Sequence, residues 1–116
     1  MEAIPAKMLD QYVERRGYRI IDLRSYEEYL RGHIRGALSA PEGKPDTQLN
    51  GHKKDILILY CDRGARSMSV ARELERKGWR TKTVVGGLRA YRGDNIVKIR
   101  AEDMAGKTID RERGGH

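Results

Sequence analysis

Apolar residues along the chain fall in short clusters separated by polar, glycine-containing turns, and the spacing inside each cluster assigns an element. In "AKMLDQYVERRG" Met8, Leu9, Tyr12 and Val13 lie on one helical stripe, which Gly17 can stop. "YRIID" is a short β-branched strand. "SYEEYLRG" is a helix: Ser25 and Glu28 have capping-box spacing, which satisfies free N–H groups at its start, and Gly32 can end it. Residues 43–54, "GKPDTQLNGHKK", are polar and turn-rich and read as a loop with room for one helical turn. "DILILYC" is apolar on both faces, the pattern of a buried central strand in a parallel sheet. "SMSVARELERKG" is a helix with Val70, Ala71 and Leu74 facing inward and Gly78 at its end. "TKTVV" is another strand, and "GGLRAYRG" is a turn with a short helix. "NIVKI" has the pattern of a short edge strand, and from Ala101 onward the composition suggests an extended or frayed tail.

Strands alternating with helices predict an α/β fold, a central parallel sheet with helices on both faces. The 116 residues are enough for one hydrophobic core. A single cysteine excludes an internal disulfide framework. No apolar stretch approaches the roughly 20 residues that cross a bilayer. Early charges interrupt any signal-peptide layout, so a cytoplasmic location is expected. The net charge is +7, and residues 93–116 are neutral, so the excess lies in residues 1–92. The basic residues are scattered and no aromatic-basic motif accompanies them. A nucleic-acid partner is therefore disfavoured against a basic surface that attracts small anions.

The candidate chemistry is in "YCDRGARS", residues 60–67. Ligands gather at the carboxyl ends of strands in a parallel sheet, and Cys61 sits at such an end. The next helix is predicted to begin near Arg66 or Ser67. Between them "DRGA" must curl, and Gly64 permits the conformation that a tight curl needs. Successive N–H groups then turn inward as an anion-binding nest, with the positive end of the helix behind them. Arg63 and Arg66 add full charges. Each of these terms favours thiolate over thiol. The competing reading is a small buried hydrophobe, the commonest state of a lone cysteine, with solvated arginines. The strand–Cys–loop–Arg–helix context argues against it.

Three segments, "IIDLRSYEEYLRGHIRGA" (20–37), "ILYCDRGARSMSVARELERKGW" (58–79) and "VVGGLRAY" (84–91), resemble a single-domain rhodanese, a sulfurtransferase family, in order and spacing. The resemblance divides the chain into a rhodanese-like domain, residues 1–92, and a C-terminal extension, residues 93–116. It implies Cys61 as the catalytic nucleophile and the backbone of Asp62, Arg63, Gly64, Ala65 and Arg66 as the cradle of a sulfur-bound anion. Asp22 and Arg24 match the family's Asp-x-Arg at an early strand end. Arg24 is expected at the substrate anion, Asp22 in ordering the loop or in pairing with an arginine, and Ser67 in support of the loop. Tyr91 stands where Trp is usual, and Arg35 where Pro is commoner. His33 reads as structural, and His52 and His116 as idle.

The implied reaction carries sulfane sulfur from thiosulfate or a persulfide donor to a small thiol, cyanide or a protein thiol through a Cys61 persulfide. Neither cofactor nor metal is required. The alternative is a persulfide carrier or regulatory module with little thiosulfate turnover. Related phosphatases have a loop one residue longer. Here four residues separate Cys61 from Arg66, which matches the sulfurtransferase length.

Overall fold

The computed structural model describes residues 1–50 and 53–99. Five parallel strands form the central sheet: β1 (Glu2–Pro5), β2 (Tyr18–Asp22), β4 (Leu38–Ser39), β5 (Ile56–Tyr60) and β6 (Arg80–Val85). Their order is β1-β6-β5-β2-β4, which puts the apolar "ILILY" strand in the middle, as its two-faced pattern predicts. Two short strands, β3 (His33–Ile34) and β7 (Ile96–Val97), pair antiparallel beside this sheet. β7 realises the "NIVKI" expectation, and the amide of Ile99 continues the attachment by donating to Leu30 O. The predicted tail from Ala101 lies outside the described residues.

Alternation along β5 divides the core. Ile58 and Tyr60 point to one face, where they meet Ile4, Leu9, Tyr12, Ile20, Ile34 and Val84. Leu57, Leu59 and Cys61 point to the other, against Ile21, Leu23, Ala71, Leu74 and Trp79. Helix α3 (Ala65–Arg76) covers this second face with Ala71 and Leu74, and Val70 is partly buried beside them. Leu49, which follows the single-turn helix α2 (Pro45–Gln48), packs there too. Helix α1 (Tyr26–Arg31) packs on the first face through Tyr29. The Ser25 hydroxyl caps α1 by accepting from Glu28 N at 3.2 Å, as the capping-box spacing predicts.

One predicted helix takes a different form. Residues 6–11 make a 3-10 helix. Met8 and Val13 of the expected stripe are only partly buried against the core. Its Leu9 and Tyr12 are buried, together with Ala6. Their three-residue period matches 3.0 residues per turn, so burial selects the tighter helix. α3 starts at Ala65, one residue ahead of the range expected from sequence.

Candidate active site

β5 ends at Tyr60, and the pleat turns the next side chain, Cys61, toward the α3 face. Cys61 as a whole is 6% exposed. Its Sγ accepts a hydrogen bond from the amide of Gly64 at 3.0 Å. Among the described residues this is the loop amide that reaches the sulfur, so the full ring of inward N–H groups expected over residues 62–66 is reduced to one contact. Gly64 is the N-cap of α3 at φ +108°, a conformation that side chains resist. Ser67, fully buried, ties the first turn of α3 to the loop by donating to Gly64 O at 2.9 Å.

A second loop holds the first from behind. After β6 the chain turns through Gly86 and Gly87, and the amides of Leu88 and Arg89 donate to Cys61 O at 2.9 Å and Asp62 O at 3.2 Å. Gly87 has φ +62°, and a Cβ there would overlap the carbonyl oxygens of Cys61 and Asp62. Sequence reasoning did not place these glycines at the site. The signal was available as a double glycine directly after a strand.

Cys61 opens onto a cleft of about 360 Å³ lined by Leu23, Arg24, Ser25, Glu28, Asp62, Arg63, Ala65 and Arg66. Every predicted site residue except Asp22, Gly64 and Ser67 lines this cleft, and those three support it from behind. Arg63 is the open cation, with a side chain 73% exposed and Nε 3.7 Å from Asp62 Oδ2. Asp62 also lies 3.8 Å from Arg89 Nε.

The other two arginines are engaged elsewhere. Arg24 donates to Asp22 through Nε at 3.1 Å and Nη2 at 2.7 Å, and to Gly32 O at 2.5 Å. Burial works against its charge, but the Asp22 hydrogen bonds and the carboxylate's proximity prevail and hold its pKa above the ordinary value. Arg66 donates to Leu23 O and, at 2.5 Å, to Pro41 O. Both guanidiniums therefore fasten the walls of the cleft. Each directs at least two of its five N–H donors to protein acceptors.

Asp22 is fully buried and pairs with Arg24, as one of the two roles expected of it. It also accepts from Tyr60 Oη at 2.6 Å, and Tyr60 Oη in turn accepts from Ile34 N at 3.1 Å. Burial first, then the Asp22 charge, pushes the Tyr60 phenol far above its usual pKa. His33 is buried and stacked on Tyr29 with ring centroids 3.7 Å apart, in keeping with a structural reading. His52 and His116 lie outside the described residues.

Comparison with known proteins supplies the family of this strand–Cys–loop–helix arrangement. The tRNA sulfurtransferase of Desulfurococcus amylolyticus is 38% identical over 81 residues, covering 63% of this chain and 14% of that protein. Thiosulfate sulfurtransferase 16 of Arabidopsis thaliana is 32% identical over 89 residues, covering 65% of this chain and 74% of that one. The first relative is thus far longer than the chain. In fold, a rhodanese-like domain protein from Staphylococcus aureus superposes with a TM-score of 0.73 at 28% identity, over 86% of this chain and all of that one. The sequence model of the rhodanese-like domain matches residues 5–94, the stretch that carries β2, β4, β5 and β6 of the sheet, the Cys61 loop and the double-glycine turn. By that match and by its fold, the chain belongs to the rhodanese-like domain family.

Proposed function

We propose that the chain is a sulfurtransferase that moves sulfane sulfur from thiosulfate or a persulfide donor to a thiol acceptor through a Cys61 persulfide. The observation that carries this reading is the Gly64 N–H to Cys61 Sγ contact at the mouth of the cleft. That donor, with the α3 N-terminus behind it, stabilises negative charge on the sulfur. In the first step the Cys61 thiolate attacks the outer sulfur of thiosulfate. The new S–S bond forms as the old one breaks, and sulfite leaves with the bonding pair. In the second, an acceptor thiolate or cyanide attacks the outer sulfur of the persulfide, and Cys61 leaves as thiolate. The names of the similar proteins support sulfur transfer in general, and the Arabidopsis relative's name supports thiosulfate as donor.

The test is intact mass after brief exposure to thiosulfate without reductant. Wild type gains one sulfur atom and Cys61→Ser gains none. A wild-type protein that stays unchanged in mass overturns the reading for thiosulfate.

A second reading, a persulfide carrier loaded by a partner enzyme, is favoured by one observation. Arg24 and Arg66 donate to Asp22, Gly32, Leu23 and Pro41, so Arg63, exposed and 3.7 Å from Asp62 Oδ2, is the cleft arginine most open to a small dianion. Persulfide formation from a dedicated protein donor, beside negligible thiosulfate:cyanide turnover, selects the carrier.

A further inference from the structure

At the opposite end of the sheet from Cys61, a cleft of about 430 Å³ opens between the turn before β2 and the turn after β3. Asp55 lines it and directly precedes β5, whereas Cys61 directly follows that strand. Six residue steps from Asp55 to Cys61 put the two sites about 20 Å apart. Arg15, Arg16, Arg19 and Arg35 line this cleft, opposed by Glu14 and Asp55. The two turns are packed together, since a Cβ on Gly36 would lie 3.6 Å from Glu14 Cγ. Elsewhere Arg24, Arg66, Arg76, Arg80 and Arg92 donate to carboxylates or carbonyls. Among the described residues none of the four cleft guanidiniums has an ion-pair or hydrogen-bond partner. The floor is aromatic: the Tyr12 and Tyr18 rings lie 4.8 Å apart, and the Arg15 guanidinium sits 5.1 Å from the centre of Tyr18.

We propose that this cleft binds the phosphates of a nucleotide or of a nucleic-acid strand. Arginine forks match phosphate oxygens bidentately. Glu14 and Asp55 oppose any anion, and the four guanidiniums outnumber them. Tyrosine beside arginine is a surface on which a base can stack. The chain is basic overall, which raises the local concentration of such a ligand. Sequence spacing scatters these residues, and the contact between the two turns adds Arg35 to the 15–19 group.

The test is fluorescence anisotropy with labelled ATP and with a labelled 12-nucleotide RNA over a salt series. The Arg15→Gln, Arg16→Gln, Arg19→Gln, Arg35→Gln protein is expected to bind at least about tenfold more weakly. Its salt slope on the RNA should fall by about 3, roughly 0.7 for each phosphate no longer neutralised. A control with Lys7, Arg31, Lys44 and Arg72 changed to Gln removes equal charge from exposed positions outside the cleft, and should bind within about twofold of wild type. The matched Arg→Lys set keeps the charge, removes the fork and should fall between the two, which protects the test if the glutamine set misfolds. Glu14→Gln should tighten binding. Preference for the RNA assigns the source to a strand, and equal affinity per site assigns a nucleotide. The proposal is overturned if wild type binds neither probe, if the cleft and control sets weaken binding equally, or if polyglutamate competes as well as unlabelled RNA.

Discussion

The phenol of Tyr60 donates to the buried carboxylate of Asp22 across 2.6 Å, linking the central strand to its neighbour one residue before the thiol. The two residues are register partners on β5 and β2. Asp22 passes the constraint to Arg24, whose side chain is 9% exposed and lines the Cys61 cleft. Removing Asp22 leaves a largely buried guanidinium without its counter-charge. Asp22→Asn is expected to lose about 3 kcal/mol or more of stability. Tyr60→Phe leaves the ion pair in place and should lose about 1–3 kcal/mol. Denaturant unfolding of both single variants and the double variant measures the coupling. Additive losses would mean that the phenol and the carboxylate act independently.

Gly87 is expected to be the least replaceable glycine of the site. Gly87→Ala needs φ +62° and drives a methyl group into two carbonyl oxygens of the cysteine loop. Gly64→Ala faces a milder contact, 3.2 Å to Gly86 N, at φ +108°. The left-handed conformation alone costs a non-glycine residue roughly 1–2 kcal/mol. Gly87→Ala adds the overlap, so its melting temperature should fall below that of Gly64→Ala. Because Leu88 and Arg89 hold the carbonyls of Cys61 and Asp62, persulfide formation should slow in Gly87→Ala even where the protein remains folded. Equal melting temperatures for the two variants would contradict this account.

The Tyr60 phenol also sets a pH dependence. Its folded pKa is raised above the unfolded value of about 10, by burial first and the Asp22 charge second. The folded state therefore holds this proton more tightly than the unfolded chain does. The associated stability is fully present below pH ~10 and is lost as pH rises above it. The stability difference between wild type and Tyr60→Phe should be flat from neutral pH to pH ~10 and narrow beyond. Tyrosinate absorbance, followed beside circular dichroism, should show this residue ionising only as the fold is lost. Ionisation of all tyrosines well ahead of unfolding would refute the assignment.

What the sequence made legible follows from range. β5 was readable because five consecutive apolar residues between polar turns have one plausible place, the middle of a sheet. The Cys61 loop was readable because its glycine, arginines and following helix are contiguous. β1 was missed: Glu2–Pro5 buries one residue, contains proline, and becomes a strand through its pairing with β6, whose register partners lie 80 positions away. The two-residue strands β3 and β4 are too short to show a period. The same limit applies inside the site. Arg66 could be placed beside Cys61 from spacing, but its acceptors on Leu23 and Pro41 come from loops that only the folded sheet brings near. The Gly87 contact needed the β6 turn to be laid against the β5 loop.

That distinction separates two arginines that look alike in "DRGAR". Arg66 fastens the loop after β2 and the loop after β4 to the start of α3, whereas Arg63 reaches into solvent. Arg66→Gln leaves two carbonyls short of a charged donor and should lose about 1–3 kcal/mol of stability. Amide exchange should quicken around residues 40–44, where Gly43 N donates to Ala40 O in the turn that Arg66 holds. Arg63→Gln should leave the melting temperature within experimental error and raise KM for an anionic donor by several-fold, because an exposed cation acts on encounter with the anion and makes little packing contact. Measured together, melting temperature and donor KM should move in opposite variants. If Arg63→Gln lowers stability while Arg66→Gln leaves it intact and raises KM, then Arg66 is the anion ligand and its bonds to Leu23 and Pro41 are not what holds the cleft.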